Sequence, residues 1–293
     1  MKYFIYLTLA VLFWSGNFVF GRMVSSEIQA LELAFFRWLF VFLILLPYLI
    51  YRFKYIMNIF KKDYIILLIF GVIGVAGFNT FLYLGLQTTT ATNALLINSS
   101  IPIMIIVLSS LILKTTITKI QSLGIIFSTL GVVFLILKGS IENIINLHFT
   151  NGDLWILFAC VNWALYTVLL KFKPKELNAL DFLSITVFIG IIVLSIVYFY
   201  AGYSMDLKAF ENTKVLYSLI YIVVFPSLLS FYFWNTAIVE IGASKAGQFT
   251  HLMPFFGAVL AFIFLGERLE LYHLFGILFI ALGIYLSIFL KKV

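Results

Sequence analysis

The chain has 293 residues, 63% of them apolar and only 11% charged, with a mean hydropathy of +1.13. That is too little polar surface to cover a water-soluble globule of this size. The net charge of +7 is carried without any basic, aromatic-interleaved run standing clear of the apolar segments, so nucleic acid is not needed to explain it.

Apolar segments of about 20 residues are long enough to cross hydrocarbon as helices. Ten follow in order: 3–22, 31–51, 64–86, 92–113, 118–138, 153–171, 182–201, 215–238, 244–265 and 271–290. Membrane strands would need shorter, alternating segments, which are lacking. The first segment holds Trp14 and Asn17, and the second holds Arg37 among Phe35, Phe36 and Trp38. Residues 2–22 have the form of a signal peptide, but a counterpart at 153–171 argues against their removal. In the third segment Asn79 and Tyr83 are four apart and share a face. The fourth carries Asn98, Ser99 and Ser100 before Pro102, the sixth Asn162, Trp163 and Tyr166, and the ninth Gln248, Thr250 and His251 before Pro254. A proline there frees a backbone carbonyl and bends the helix, which suits a protein- or water-lined setting. Cys160 is the single cysteine, so no intrachain disulfide or thiolate metal site is expected. The linkers 139–152 and 202–214 are too short to form domains.

The sequence repeats. Pro102, Gly124 and Gly131 recur 152 positions later as Pro254, Gly276 and Gly283. Ala10, Trp14, Arg22 and Glu32 recur after 149 positions as Ala159, Trp163, Lys171 and Asp181. The expected units are residues 1–140 and 150–293, five segments each. Five is odd, so the second copy enters the membrane from the opposite side, an arrangement found in secondary transporters. With the N-terminus inside, the cytoplasmic side receives Lys2, Arg52, Lys54, Lys61, Lys62, Lys114, Lys119, Lys171, Lys173, Lys175, Lys245, Lys291 and Lys292. The outer side receives Arg22, Lys138, Lys208, Lys214 and Arg268, a bias of 13 to 5. The positive-inside rule puts both termini in the cytoplasm. The Ile-, Phe- and Lys-rich composition suits a bacterium with an AT-rich genome, and hence its cytoplasmic membrane.

Trp14 to Asn17 (Trp-Ser-Gly-Asn), Phe35 to Trp38 (Phe-Phe-Arg-Trp), Gly152-Asp153-Leu154, Val161 to Val168, and Pro254 followed by Leu265 to Leu269, Gly276 and Gly283 form a full-length pattern. It resembles the EamA-type members of the drug/metabolite transporter superfamily. The resemblance implies a ten-helix carrier with a central cavity, usually exporting amino acids, related metabolites or drugs. One departure is Thr115, which stands where the family often has a carboxylate matching Glu267.

The candidate cavity residues are Asn17, Arg37, Asn79, Tyr83, Asn98, Ser99, Asn162, Tyr166, Gln248 and His251, with Pro102 and Pro254 as bends. Polar groups within a span are costly against lipid and mark working sites, although they also serve as interhelical glue. The Arg37 guanidinium suits a substrate carboxylate, with pairing to Glu32 or snorkelling as the alternatives. His251, alone inside a span, suits either proton coupling or packing. Trp14 and Trp163 read as packing anchors, and Glu267 with Arg268 as an outer loop cap or gate pair.

The expectation is an all-α integral membrane carrier, monomeric, with a small-molecule substrate and no cofactor or metal. It moves amino acids or related metabolites by alternating access, with export implied by the family resemblance. A drug or nucleotide-type cargo on the same fold is the alternative. A membrane enzyme would need a nucleophile–base pair or metal cluster, a pump a P-loop and a channel a filter motif; none is evident.

Overall fold

The computed structural model describes residues 1–24, 26–86, 88–89, 94, 97–140, 142–145, 150–205, 207–265 and 270–288. The described chain is all-helical. The main helices are α1 (Lys2–Met23), α2 (Ala30–Tyr51), α3 (Phe53–Phe70, a π-helical stretch Gly71–Gly77, then Phe78–Leu86), α4 (Ile101–Leu113) and α5 (Lys119–Ile136). The second set is α6 (Asn151–Leu169), α7 (Ala179–Tyr200), α8 (Thr213–Ile222, a π-helical stretch Val223–Leu229, then Ser230–Ile241), α9 (Ala243–Gly247, a 3-10 stretch Gln248–Leu252, then Met253–Leu265) and α10 (Leu271–Ile288). Among the described residues nine helices are long and apolar enough to cross a membrane, and Ile101–Leu113 is a shorter apolar helix.

Two elements differ from the sequence expectation. Helix α3 begins at Phe53 rather than near 64, with a kink at Asp63 (φ −116°, ψ 28°). Ile56 and Ile59 are buried while Lys54, Lys61 and Lys62 face outward. This i, i+3 amphipathic spacing supports a helix that a search for uniformly apolar runs passes over. The prolines also act differently from bends in a continuous helix. Pro102 and Pro254 are each the second residue of a helical segment, after the Ser99–Ser100 turn and the 3-10 stretch respectively. There the missing N–H costs nothing.

Local signals explain the start of α7. Asn178 Oδ1 accepts from the backbone N–H of Leu180 and of Asp181, both at 2.8 Å. The Asp181 carboxylate accepts from Tyr48 Oη at 2.9 Å and from Arg52 Nε and Nη2 at 3.1 and 3.2 Å. The hydrogen bond to Asp181 raises the Arg52 pKa further above its already high value. The cap of α7 is thereby tied to the end of α2.

The two halves interlock. Helix α1 packs against α8 and α9, whereas α6 packs against α3 and α4; α2 lies on α7, and α5 on α10. The first helix of each half therefore sits in the other half. The two π-helical stretches, 71–77 and 223–229, are 152 residues apart, the offset of the repeated prolines and glycines. Equivalent residues also meet: Trp14 and Trp163 rings lie 5.0 Å apart edge-on, and His251 Nε2 is 3.1 Å from the Ser99 carbonyl.

The α5–α10 contact depends on small residues, as close membrane helix pairs do. A Cβ on Gly124 would lie 2.5 Å from the Gly283 carbonyl, and one on Gly131 would lie 2.7 Å from that of Gly276. Gly124→Ile should therefore cost about 1–3 kcal/mol by overpacking. Gly21→Ala, where nothing lies within 4 Å, should be tolerated. Thermal unfolding in detergent checks both, and equal midpoints would refute the close-packing account.

Candidate binding cavity

The π-helical stretch of α8 brings Ser227 to Arg37. Ser227 Oγ donates to the Ile222 carbonyl at 2.6 Å and accepts from Arg37 Nε at 2.5 Å. Arg37 Nη1 donates to Asn79 Oδ1 at 3.0 Å, Asn17 Oδ1 at 3.4 Å and Tyr83 Oη at 3.4 Å. The guanidinium also lies over the Trp38 ring at 5.1 Å. Arg37 is 2% exposed, and every hydrogen bond described for it goes to a neutral side chain. Burying a cation without a counter-charge is costly. In place of the alternative pairing with Glu32, Arg37 of α2 sits in a four-residue cradle from α1, α3 and α8.

Arg37 borders a cavity of about 40 Å³, whose walls include Asn17, Asn79, Asn98, Thr250, Trp14 and Trp163. The Nδ2 of Asn79 is buried without a partner, so the cavity wall carries donor capacity beside a positive charge. Trp14 Nε1 donates to the Pro226 carbonyl at 2.9 Å, and the Trp14 ring also meets Trp234 at 5.0 Å. The two tryptophans are thus packing anchors and cavity walls at once. A second, larger chamber of about 670 Å³ opens at the end of the bundle formed by the last turns of α4, α6, α8 and α10. Its lining includes Ser109, Gln121, Lys171, Glu240, Lys245 and Gln248.

The remaining candidates are dispersed. Asn98 borders the small cavity and accepts from Cys160 Sγ at 3.1 Å. Tyr166 donates to Asn235 Oδ1 at 2.8 Å, linking α6 to α8. Asn162, with its amide oriented by its neighbours, donates to the Ile73 carbonyl at 3.2 Å and accepts from the Phe78 N–H at 3.3 Å. It braces the π-helical stretch of α3. Gln248 borders the large chamber. His251 Nδ1 is 2.8 Å from Ser128 Oγ, and Nε2 lies 3.1 Å from the Ser99 carbonyl. Because a carbonyl only accepts, Nε2 carries a proton. Glu267 and Arg268 lie outside the described residues. Sequence reasoning missed Ser227, Ser128 and Asn235. Serines inside apolar runs are common, and the signal that separates Ser227 from the rest is only its place beside Pro226.

An interlocked, inverted pair of five-helix units enclosing a buried polar cluster defines a membrane transporter. The chain belongs to the EamA-like transporter family, which matches residues 1–137 and again 150–289. It is 33% identical over 224 residues to the Bacillus subtilis uncharacterized transporter YyaM, covering 76% of this chain and 73% of that protein. It is 26% identical to the uncharacterized transporter YetK of the same organism, covering 100% and 88%. An uncharacterized transporter of Archaeoglobus fulgidus is also 26% identical, covering 96% and 95%. A solved crystal structure shares the fold with a TM-score of 0.78 at 12% identity, over 97% of this chain and 95% of that one.

Asn162→Ala should strand the Ile73 carbonyl and Phe78 N–H and cost roughly 1–3 kcal/mol. A lowered unfolding midpoint with unchanged half-saturation for cargo is the expected pair of results.

Proposed function

We propose that this chain is a secondary carrier that exports amino acids or related small carboxylate-bearing metabolites across the cytoplasmic membrane by alternating access. The observation that carries the reading is Arg37. It is a buried cation whose hydrogen-bond partners among the described residues are all neutral, on the wall of a cavity that also presents the unpartnered Asn79 Nδ2. A cargo carboxylate would supply the missing charge and accept a bidentate pair of hydrogen bonds. A cationic drug would meet like charge there, which favours the carboxylate reading over multidrug export.

The 13-to-5 charge bias supports cytoplasmic termini, which turns the large chamber toward the cytoplasm. The halves 1–140 and 150–293 rock about the central contacts, and one chain suffices for a complete cavity. His251 is the proposed proton-coupling residue. The groups described against it, the Ser128 hydroxyl from α5 and the Ser99 carbonyl, are both neutral. The Ser128 hydroxyl has two acceptors in reach, the Ile125 carbonyl at 3.0 Å and His251 Nδ1; it donates to the carbonyl while accepting from a charged imidazole, or turns to donate to a neutral one.

Counterflow of radiolabelled amino acids into proteoliposomes tests the reading. Saturable exchange of a subset is expected, and folded protein that exchanges none of them would overturn the amino-acid assignment. Arg37→Lys and Arg37→Ala should each reduce exchange by about tenfold or more with expression intact; normal exchange in both removes Arg37 from the site. His251→Gln should abolish the pH dependence of exchange, and an unchanged profile excludes His251 from coupling.

A further inference from the structure

The small cavity at Arg37 cannot hold an amino acid as the structure stands. Its volume of about 40 Å³ has room for only a few waters. The large chamber, about 670 Å³, falls within the size range of small-molecule sites.

The chamber has the features of a built site. Ser109 and Gln248, 1% and 2% exposed, border it, and Ser109 Oγ and Gln248 Oε1 are both buried without partners. Ile106, Ile125 and Ile238 supply apolar wall. Around the opening stand Lys171 after the last turn of α6, Lys245 in the first segment of α9 and Glu240 near the end of α8, all exposed. Two cations against one anion favour a negatively charged entrant.

The two volumes share one wall. On the 3-10 stretch of α9, Gln248 borders the chamber while Thr250, two residues on, borders the Arg37 cavity. That stretch is bounded by Gly247 and Pro254. Gly247 packs so tightly on α4 that a Cβ there would sit 2.8 Å from Ile105 Cδ1. Pro254 has no N–H to give the Thr250 carbonyl, which accepts from the Met253 N–H instead and closes the tighter 3-10 turn.

We propose that the large chamber is a loading site for small carboxylates with an apolar body, and that the Gln248–Leu252 stretch is the partition they cross to reach Arg37. This rests on the carrier reading of Arg37 and adds a second binding position, a charge preference and an apolar-body requirement. Lys171 and Lys245 draw the carboxylate in, the isoleucine walls take the apolar body, the Ser109 hydroxyl can donate to the carboxylate, and Gln248 Oε1 can accept from an amino acid's ammonium at the partition. As the halves rock, the broken segment of α9 moves with them, so that the small cavity widens as the chamber closes behind the cargo.

The test uses full-length protein in sealed vesicles of known orientation, with Ser244→Cys at the chamber wall in a Cys160→Ser background that retains counterflow. A membrane-impermeant thiol reagent should label Cys at position 244 only from the cytoplasmic face. L-Leucine or L-phenylalanine at ten times its half-saturation should slow labelling roughly tenfold by mass action, whereas isoamylamine and phenethylamine, which lack the carboxylate, should not. Labelling from the outer face only, or labelling that no carboxylate slows, overturns the loading site. Equal protection by the amines overturns the charge preference. Lys171→Gln with Lys245→Gln should raise the cytoplasmic half-saturation about three- to tenfold at low salt while leaving the outer one unchanged; equal shifts on both faces overturn the role of the rim. If amino acids exchange but none protects, the chamber proposal fails and the carrier reading stands. If hexanoate protects while no amino acid exchanges, the chamber stands and the amino-acid reading fails.

Discussion

Hydrocarbon supplies no hydrogen bonds, so a π-helical stretch inside a membrane helix must find protein partners for the backbone groups its altered ladder leaves over. This chain has two such stretches, at 71–77 and 223–229, and each draws a partner from the other half. Asn162 of α6 bonds the Ile73 carbonyl and Phe78 N–H. Trp14 of α1 bonds the Pro226 carbonyl at 2.9 Å, and Ser230 Oγ reaches from α8 to the Ala10 carbonyl at 3.1 Å. The exchange of α1 and α6 between halves follows from this need as much as from apolar packing. It also carries Asn17 and Ser227 to Arg37 from opposite halves of the chain.

The repeat is symmetric in backbone and asymmetric in charge. Asn17 and Tyr83 correspond by their offsets to Tyr166 and Asn235. In the first half the pair converges on Arg37, at 3.4 Å each. In the second half Tyr166 bonds Asn235 directly at 2.8 Å. The position matching Arg37 is Thr186, whose hydroxyl bonds the Phe182 carbonyl of its own helix at 2.9 Å. A single fixed cation on one side of a pseudo-twofold gives the two faces of the carrier different chemistry. The Trp14, Trp163, Trp234 and Phe231 cluster packs between these polar groups.

Much of this architecture is legible in the residue order because its signals are local. Hydropathy sets the spans, recurring prolines and glycines expose the duplication, and odd helix number turns duplication into inversion. Arg37, Asn79, Tyr83 and Asn17 stand out because polar groups in apolar runs demand partners, and the fold does bring these four together. The same reasoning groups Asn162 with them, yet its amide is occupied by the backbone of α3. Polarity shows that a partner is needed but not whether it is cargo, side chain or backbone. The helical start at Phe53 was hidden for a related reason: its stabilising face is only a few residues wide and carries lysines on its other side.

Sequence alone determined the membrane class, the ten-segment duplication and the presence of one cation within the spans, since composition, spacing and odd-number topology need no knowledge of distant contacts. Tertiary structure decided which helices exchange partners, that Ser227 and not Glu32 holds Arg37, and that the roomy chamber lies apart from the charged cavity. Those outcomes turn on residues such as Arg37 and Ser227, 190 positions apart, being brought within hydrogen-bond distance, and on the space left between packed helices. Neither quantity is encoded in any local stretch of the chain.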